Sequence, residues 1–100
     1  MNNKLEKTKK LAASLNDKQK FEVGDVVVWK DGLKNKKVPG HYEPVVVTRV
    51  YDNAVLSDTK ENRGSVYFNE PLDMACGLID RYDDFVEFHF DSRRFQKYSE

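Results

Sequence analysis

Few residues of this chain have side chains that do covalent chemistry, and they are scattered along the sequence. The two histidines are His41 and His89, and the single cysteine is Cys76. Neither histidine lies at a metal-ligand spacing from the other or from the cysteine, and one cysteine cannot build a cysteine-rich zinc site. Asp83 and Asp84 are adjacent acids in a predicted turn, where they point apart and make a poor acid–base pair. The sequence therefore predicts a protein that is not an enzyme and that holds no metal or cofactor.

A basic loop between two hydrophobic runs is the strongest indication of binding. Residues 31–43 are rich in Lys, Gly, Asn and Pro, and loops of this length in a small domain are often functional. Aromatic side chains beside such a loop can line a groove that binds a peptide or stacks on bases. The candidate binding residues are Trp29, Lys34, Lys36, Lys37, His41, Tyr42, Arg49, Tyr51 and Tyr67. An alternative stays open, in which Trp29 is core and the tyrosines are ordinary half-buried strand residues.

The charges are unevenly distributed, although the formal net charge is zero. Residues 1–20 carry a net charge of +4 and residues 30–37 a net charge of +3, whereas residues 70–91 carry −6. Nucleic-acid binding through the basic loop stays open, but the acidic segment would repel phosphates, so a protein partner is favoured. No apolar run approaches the roughly 18 residues of a membrane span, and we expect no membrane contact.

The organising stretch of the chain is residues 21–30, which read FEVGDVVVWK. The β-branched and aromatic residues suit a strand, and Gly24-Asp25 is typical of a turn. A hydrophobic lead-in, a Gly-Asp pair and a run of valines before an aromatic residue resemble the first strand of small SH3-like barrels, such as Tudor-type and KOW-type modules. The resemblance implies a small β-barrel in which the following loop contributes to the binding surface.

A second resemblance concerns the same stretch together with the next strand. The run GDVVV, a basic loop and the run PVVV at residues 44–47 are similar to the opening of MazF-type endoribonuclease toxins, which are SH3-like barrels that cut RNA. Their loop typically ends in a basic residue, where this chain has Glu43, and their Ser/Thr-containing motif is replaced by residues 48–50. The resemblance implies that Arg49 or Lys37 stabilises a phosphate charge and that His41 moves a proton. RNA cleavage is therefore the third hypothesis, after protein binding and nucleic-acid binding.

The domain organisation follows from hydrophobic periodicity. Residues 1–20 predict a basic N-terminal helix or flexible arm, with a narrow apolar stripe at helical spacing formed by Leu5, Thr8, Ala12 and Leu15. So short a helix needs something to pack against, which is the barrel, a second copy in a homodimer, or another protein. Residues 21–100 predict a mainly β domain, an SH3-like barrel of five or six antiparallel strands. With a single cysteine, the small charged chain fits a cytoplasmic accessory protein of bacteria or mobile elements.

Turn residues divide the barrel sequence into strands. The predicted strands are residues 23–30, 44–51, 54–57, 65–68, 76–82 and 85–90, with a tight turn at Asp52-Asn53 and a short turn within 72–75. Asp91 is expected to cap one helical turn, after which Phe95 and Tyr98 fold back as a lid. Alternation along the strands predicts one apolar cluster, formed by Val26, Val28, Val46, Leu78, Val86, Phe88 and Phe90.

Overall fold

The computed structural model describes residues 3–56 and 70–99. Within these ranges the chain forms one α-helix, five strands and a 3₁₀ turn: α1 (Asn3–Asn16), β1 (Val26–Trp29), β2 (Val45–Leu56), β3 (Pro71–Ile79), β4 (Phe85–Phe90), the 3₁₀ turn Ser92–Arg94, and β5 (Phe95–Lys97). The strands form one antiparallel sheet in the order β4-β3-β2-β1-β5. The predicted mainly β class with an N-terminal helix is confirmed.

The first strand lies between the second and the last strand of the sheet. Val27 on β1 is paired with Val45 on β2 and with Lys97 on β5. The chain reaches β5 through the 3₁₀ turn, whose N-cap is Asp91, since its carboxylate accepts a 3.0 Å hydrogen bond from the backbone N–H of Arg93. The predicted capped turn is confirmed. It is the link that returns the chain from the β4 edge to β1.

The second strand is longer than the sequence predicts. Asp52-Asn53 does not form a hairpin, because β2 continues through it and pairs with β3 on both sides. The register shifts between Val50 and Val55, and such an irregularity lets polar residues remain in a strand. The predicted turn within 72–75 is also wrong, since β3 begins at Pro71. The strand predicted at 65–68 lies outside the described residues.

The core uses the opposite face of β1 and β2 from the one predicted. The buried apolar cluster is formed by Phe21, Val27, Trp29, Val45, Val47, Met74, Cys76, Leu78, Phe90 and Phe95. Leu78 and Phe90 were predicted correctly, and Val86 packs partly buried against the cluster. Val26, Val46 and Phe88 are about two-fifths exposed, and Val28 is buried outside the cluster. Shifting the pairing of a strand by one residue exchanges the side chains that face the core for those that face solvent. Residues 26–29 are all apolar, so their sequence has no alternation that would show which set is buried.

The helix packs against its own domain through its C-terminal half. The side chain of Lys30 is 5% exposed, and its ammonium donates hydrogen bonds to the carbonyl oxygens of Ser14 and Asp17. Leu11 packs on Gly32, where an added Cβ would lie 2.7 Å from a Leu11 methyl carbon. No residue of α1 is fully buried. The N-terminal segment is thus a docked helix whose other side faces solvent.

Candidate functional site

Two hydrogen bonds from the core side hold the basic loop, residues 31–43, on the domain. The indole N–H of Trp29 donates a 2.8 Å hydrogen bond to the carbonyl oxygen of Pro39, and Arg94 donates one of 3.2 Å to the carbonyl oxygen of Leu33. Trp29 also stacks on Phe95, with ring centroids 4.2 Å apart, and is 2% exposed. Its predicted place in a binding groove is wrong, because the indole anchors the loop from inside the core.

Glu70 joins the loop to the 3₁₀ turn. Its carboxylate accepts 2.7 Å hydrogen bonds from the Asn35 amide and the Lys36 ammonium, and it pairs with Arg94 at 3.3 Å. Burial of the carboxyl group raises its pKa, but the two hydrogen bonds and the positive charges of Lys36 and Arg94 outweigh that effect and lower the pKa below 4.5. Lys34 donates to the backbone carbonyl of Lys36. Of the three predicted loop lysines, two are therefore used within the fold, and Lys37 is exposed.

The remaining predicted residues do not form one groove beside the loop. His41 and Tyr42 are exposed neighbours with ring centroids 6.1 Å apart, and Tyr42 is 80% exposed. Tyr51 lies on the sheet, away from this pair, with its hydroxyl 3.0 Å from Nε2 of His89. Tyr67 lies outside the described residues. The predicted groove of Trp29, Tyr42 and Tyr51 is not formed.

On the outer face of the sheet, opposite the core, Arg49 and Tyr51 contact Glu87 and His89, neither of which was a predicted binding residue. Arg49 is paired across Ala75 with His89 in one row of the sheet, and its Nε lies 3.6 Å from a carboxylate oxygen of Glu87. Arg49, Glu87 and His89 are all exposed there. In the described ranges, no hydrogen bond, ion pair or ring contact joins Arg49 to His41. Of the two cations that the MazF resemblance offers for a phosphate charge, Arg49 is thus not joined to His41, and Lys37 lies four positions from His41 in the same loop.

Exposed apolar side chains are concentrated at the hairpin between β3 and β4. Ile79, Tyr82 and Phe85 are each more than half exposed, and Phe88 is 42% exposed. A groove of about 390 Å³ separates this hairpin from Val38 in the loop, and Leu78 forms its floor. We call the set Val38, Ile79, Tyr82, Phe85 and Phe88 the hairpin surface. Exposed apolar groups concentrated in one region of a protein surface are typical of interaction sites.

A glycine shapes one side of the hairpin surface. The ring of Phe85 lies directly over Gly77, where an added Cβ would be 2.1 Å from the ring. Gly77 is paired with Val46, and Val46 with Val26, so exposed apolar groups continue from the ring across the outer face. The absence of a side chain at Gly77 is what allows Phe85 to lie flat on the sheet.

The hairpin turn is ordered and acidic. The carboxylate of Asp80 accepts hydrogen bonds from the backbone N–H groups of Tyr82 and Asp84, at 2.9 and 3.0 Å. Arg81 lies over the Tyr82 ring, 5.0 Å from its centroid, and donates to its hydroxyl. Asp83 has a positive φ of 69°, and its carboxylate is exposed beside that of Asp84. The apolar groups are thus presented by a fixed turn with negative charge at its tip.

The single cysteine and the possible metal ligands were also located within the described residues. Cys76 is buried in the core, and burial raises the pKa of its thiol to about 12, so the thiolate that a nucleophile needs does not form near neutral pH. Across the described ranges, no group of histidine, cysteine and acidic side chains is arranged to hold a metal ion. The single described helix lacks the length and apolar character required to cross a bilayer.

The phenylalanines of the hairpin surface are visible in the sequence, but one of them was predicted to lie in the core. Residues 85–90 contain three phenylalanines, of which Phe88 was assigned to the core from its parity with Phe90. Alternate residues of a strand share a face, but this alternation does not show how much of the face is covered by other elements. β4 lies at the edge of the sheet, so its core-facing side is only partly covered near Phe88. Comparison of the chain with protein-family models, with curated proteins and with solved structures found no match.

Proposed function

We propose that this protein is a cytoplasmic, non-enzymatic protein-interaction module and that its partner binds the hairpin surface. The observation that carries the proposal is the exposure of aromatic rings at the β4 edge, with Phe85 on the outer face and Phe88 on the inner face. Aromatic groups that are exposed and held in place lose little conformational entropy on binding, which is why they dominate protein interfaces.

The two edges of the sheet are protected differently. β5 is three residues long and carries Lys97, both of which discourage pairing with another chain. β4 is six residues long, contains no lysine or proline, and its one acid, Glu87, is paired with Arg49. Sheet edges with so little protection are normally covered by another element, and the described residues place no further strand beside β4. A partner bound at the hairpin surface supplies that cover.

The charge around the hairpin surface indicates the chemistry of the partner. Asp83 and Asp84 stand at the tip, and Glu43 lines the groove on the loop side. Complementary potentials steer association and select partners. The partner segment is therefore one that presents apolar side chains flanked by Lys or Arg. Nucleic acid fits less well, because Lys34 and Lys36 are engaged inside the fold.

We also propose that the domain is an SH3-like barrel. Five antiparallel strands in the order β4-β3-β2-β1-β5, a long loop after β1 and a 3₁₀ turn before β5 support this class. The buried cluster on one side of the sheet supports it as well.

Two synthetic peptides with the same apolar residues test the function, one flanked by lysines and the other by glutamates. Each is titrated into isotope-labelled protein and followed by NMR. We expect binding of the lysine peptide, with shifts confined to the hairpin surface and β4. Phe85→Ser should weaken the binding of the lysine peptide at least tenfold. Val50→Ser should not weaken it, because this similarly exposed valine lies on β2, opposite Met74 and away from the hairpin. Equal affinity for both peptides, or tight salt-sensitive binding of generic RNA instead, would refute the proposal.

A further inference from the structure

We propose that the segment received by the hairpin surface is α1 of a second copy of this chain, in a reciprocal two-fold dimer. This inference rests on the proposed function and names its partner. In such a dimer, each copy offers one helix and one hairpin surface, so both contacts form at once and the assembly closes.

The helix has the chemistry that the hairpin surface requires. Residues 3–16 contain four lysines and one acid, a net charge of +3, and residues 79–87 contain four acids and one arginine, a net charge of −3. The whole chain is neutral, so two copies do not repel each other as highly charged chains do. The attraction between helix and hairpin then orients the encounter.

The docked position of α1 leaves its four lysines and part of its apolar stripe exposed. Leu11, Ser14 and Leu15 are the half-buried residues that face the domain. At 3.6 residues per turn, Leu5 and Ala12 fall on a different side, where both are exposed, with Leu5 flanked by Lys4 and Lys9. An apolar strip bordered by cations is what an acidic apolar groove binds in the helix-in-groove mode.

The dimer also explains how the β4 edge is protected. A helix that lies across an edge strand is one of the ways in which sheets avoid unwanted pairing. The helix of the same chain is docked beside β1, three strands from β4 in the sheet order, through the Lys30 ammonium and through Leu11 on Gly32. In the proposed dimer the cover comes from another copy, which keeps its own helix docked while the outward side makes the contact.

Charge reversal with reciprocal rescue tests the dimer. The helix variant is Lys4→Glu with Lys9→Glu, and the hairpin variant is Asp83→Asn with Asp84→Lys, where Asn is chosen because it tolerates the positive φ of Asp83. Multi-angle light scattering gives the mass of the full chain in low salt and in about 1 M salt, where the Debye length is only about 3 Å. We expect a wild-type dimer that weakens in high salt, two monomeric variants, and a heterodimer when the two are mixed.

Lys20→Glu is the matched control, because it reverses an exposed lysine outside both the helix and the hairpin surface and should leave the dimer intact. Circular dichroism confirms that each variant is folded. A monomeric wild type, a dimer indifferent to the reversals, or a mixture without rescue would overturn the inference. If the wild type is monomeric but still binds the lysine-flanked peptide, only the dimer is wrong. If it binds neither itself nor the peptide, the proposed function is wrong as well.

Discussion

At the scale of single residues, two phenylalanines on the same face of β4 have different surroundings. Phe90 is fully buried, with its ring 5.1 Å from that of Phe95 and 5.7 Å from that of Trp29. Phe88 is 42% exposed and lines the groove. Because residue type, strand and face are the same, truncating each ring compares a core role with a surface role.

We expect Phe90→Ala to lower the free energy of unfolding by about 3–5 kcal/mol, since it leaves a cavity among aromatic rings. Phe88→Ala should cost about 1 kcal/mol, because water already reaches much of the ring. Urea denaturation monitored by tryptophan fluorescence gives both values. If both variants lost the same free energy of unfolding, Phe88 would belong to the core, as its alternation with Phe90 along the strand predicts.

At the scale of elements, Glu70 holds the loop and the 3₁₀ turn together, and this tie depends on pH. The pKa of its carboxyl group is lower in the folded protein than its ordinary value of 4.5. The carboxylate therefore contributes stability that is fully present above pH 4.5 and is lost as the pH falls through the folded-state pKa. Its partial exposure keeps the contribution modest.

Replacing Glu70 by Gln should lower stability by about 1 kcal/mol at neutral pH and speed amide exchange in residues 31–43. The difference from wild type should shrink as the pH falls below 4.5, because the wild-type carboxylate is then protonated. Denaturation at several pH values and hydrogen-exchange mass spectrometry measure the two effects. A difference that stays constant down to acid pH would show that Glu70 acts by shape and not by charge.

Lys30 holds the C-terminal end of the helix on the domain, as Glu70 holds the loop on the 3₁₀ turn. Its ammonium donates hydrogen bonds to the carbonyl oxygens of Ser14, in the last turn of α1, and of Asp17, just after it, where the helix leaves carbonyl groups without intrahelical partners. Burial lowers the pKa of Lys30, and the nearby carboxylates of Asp17 and Asp91 oppose that effect.

Lys30→Met keeps the apolar stem and removes the donors. We expect it to reduce helical circular dichroism and to destabilise the protein by about 1–3 kcal/mol. Lys37→Met, on an exposed lysine of the loop, is the control and should change neither. Unchanged helix content in Lys30→Met would mean that Leu11 alone is enough to dock the helix.

At the scale of the whole molecule, the sequence predicted the fold class better than the faces of its strands. Turn residues and β-branched runs located β1, β4 and the capped turn, because these signals are local. The run Val26-Val27-Val28-Trp29 could not reveal which parity is buried, since that depends on pairing with distant strands. The engagement of Lys36 with Glu70 was equally invisible, as the two residues are 34 positions apart.

The position of β1 between β2 and β5 has a consequence for synthesis and folding. One side of β1 pairs with residues about twenty positions later, but the other pairs with residues 95–97, nearly seventy positions later. Forming the β1–β5 contact closes most of the chain into a loop. Proteins that are rich in contacts between residues distant in sequence fold slowly, because the entropy of closing such loops is lost before the contacts form. During synthesis on the ribosome, Trp29 therefore cannot stack on Phe95 until the C-terminal strand has been made, and the core is completed only after residue 97 has emerged.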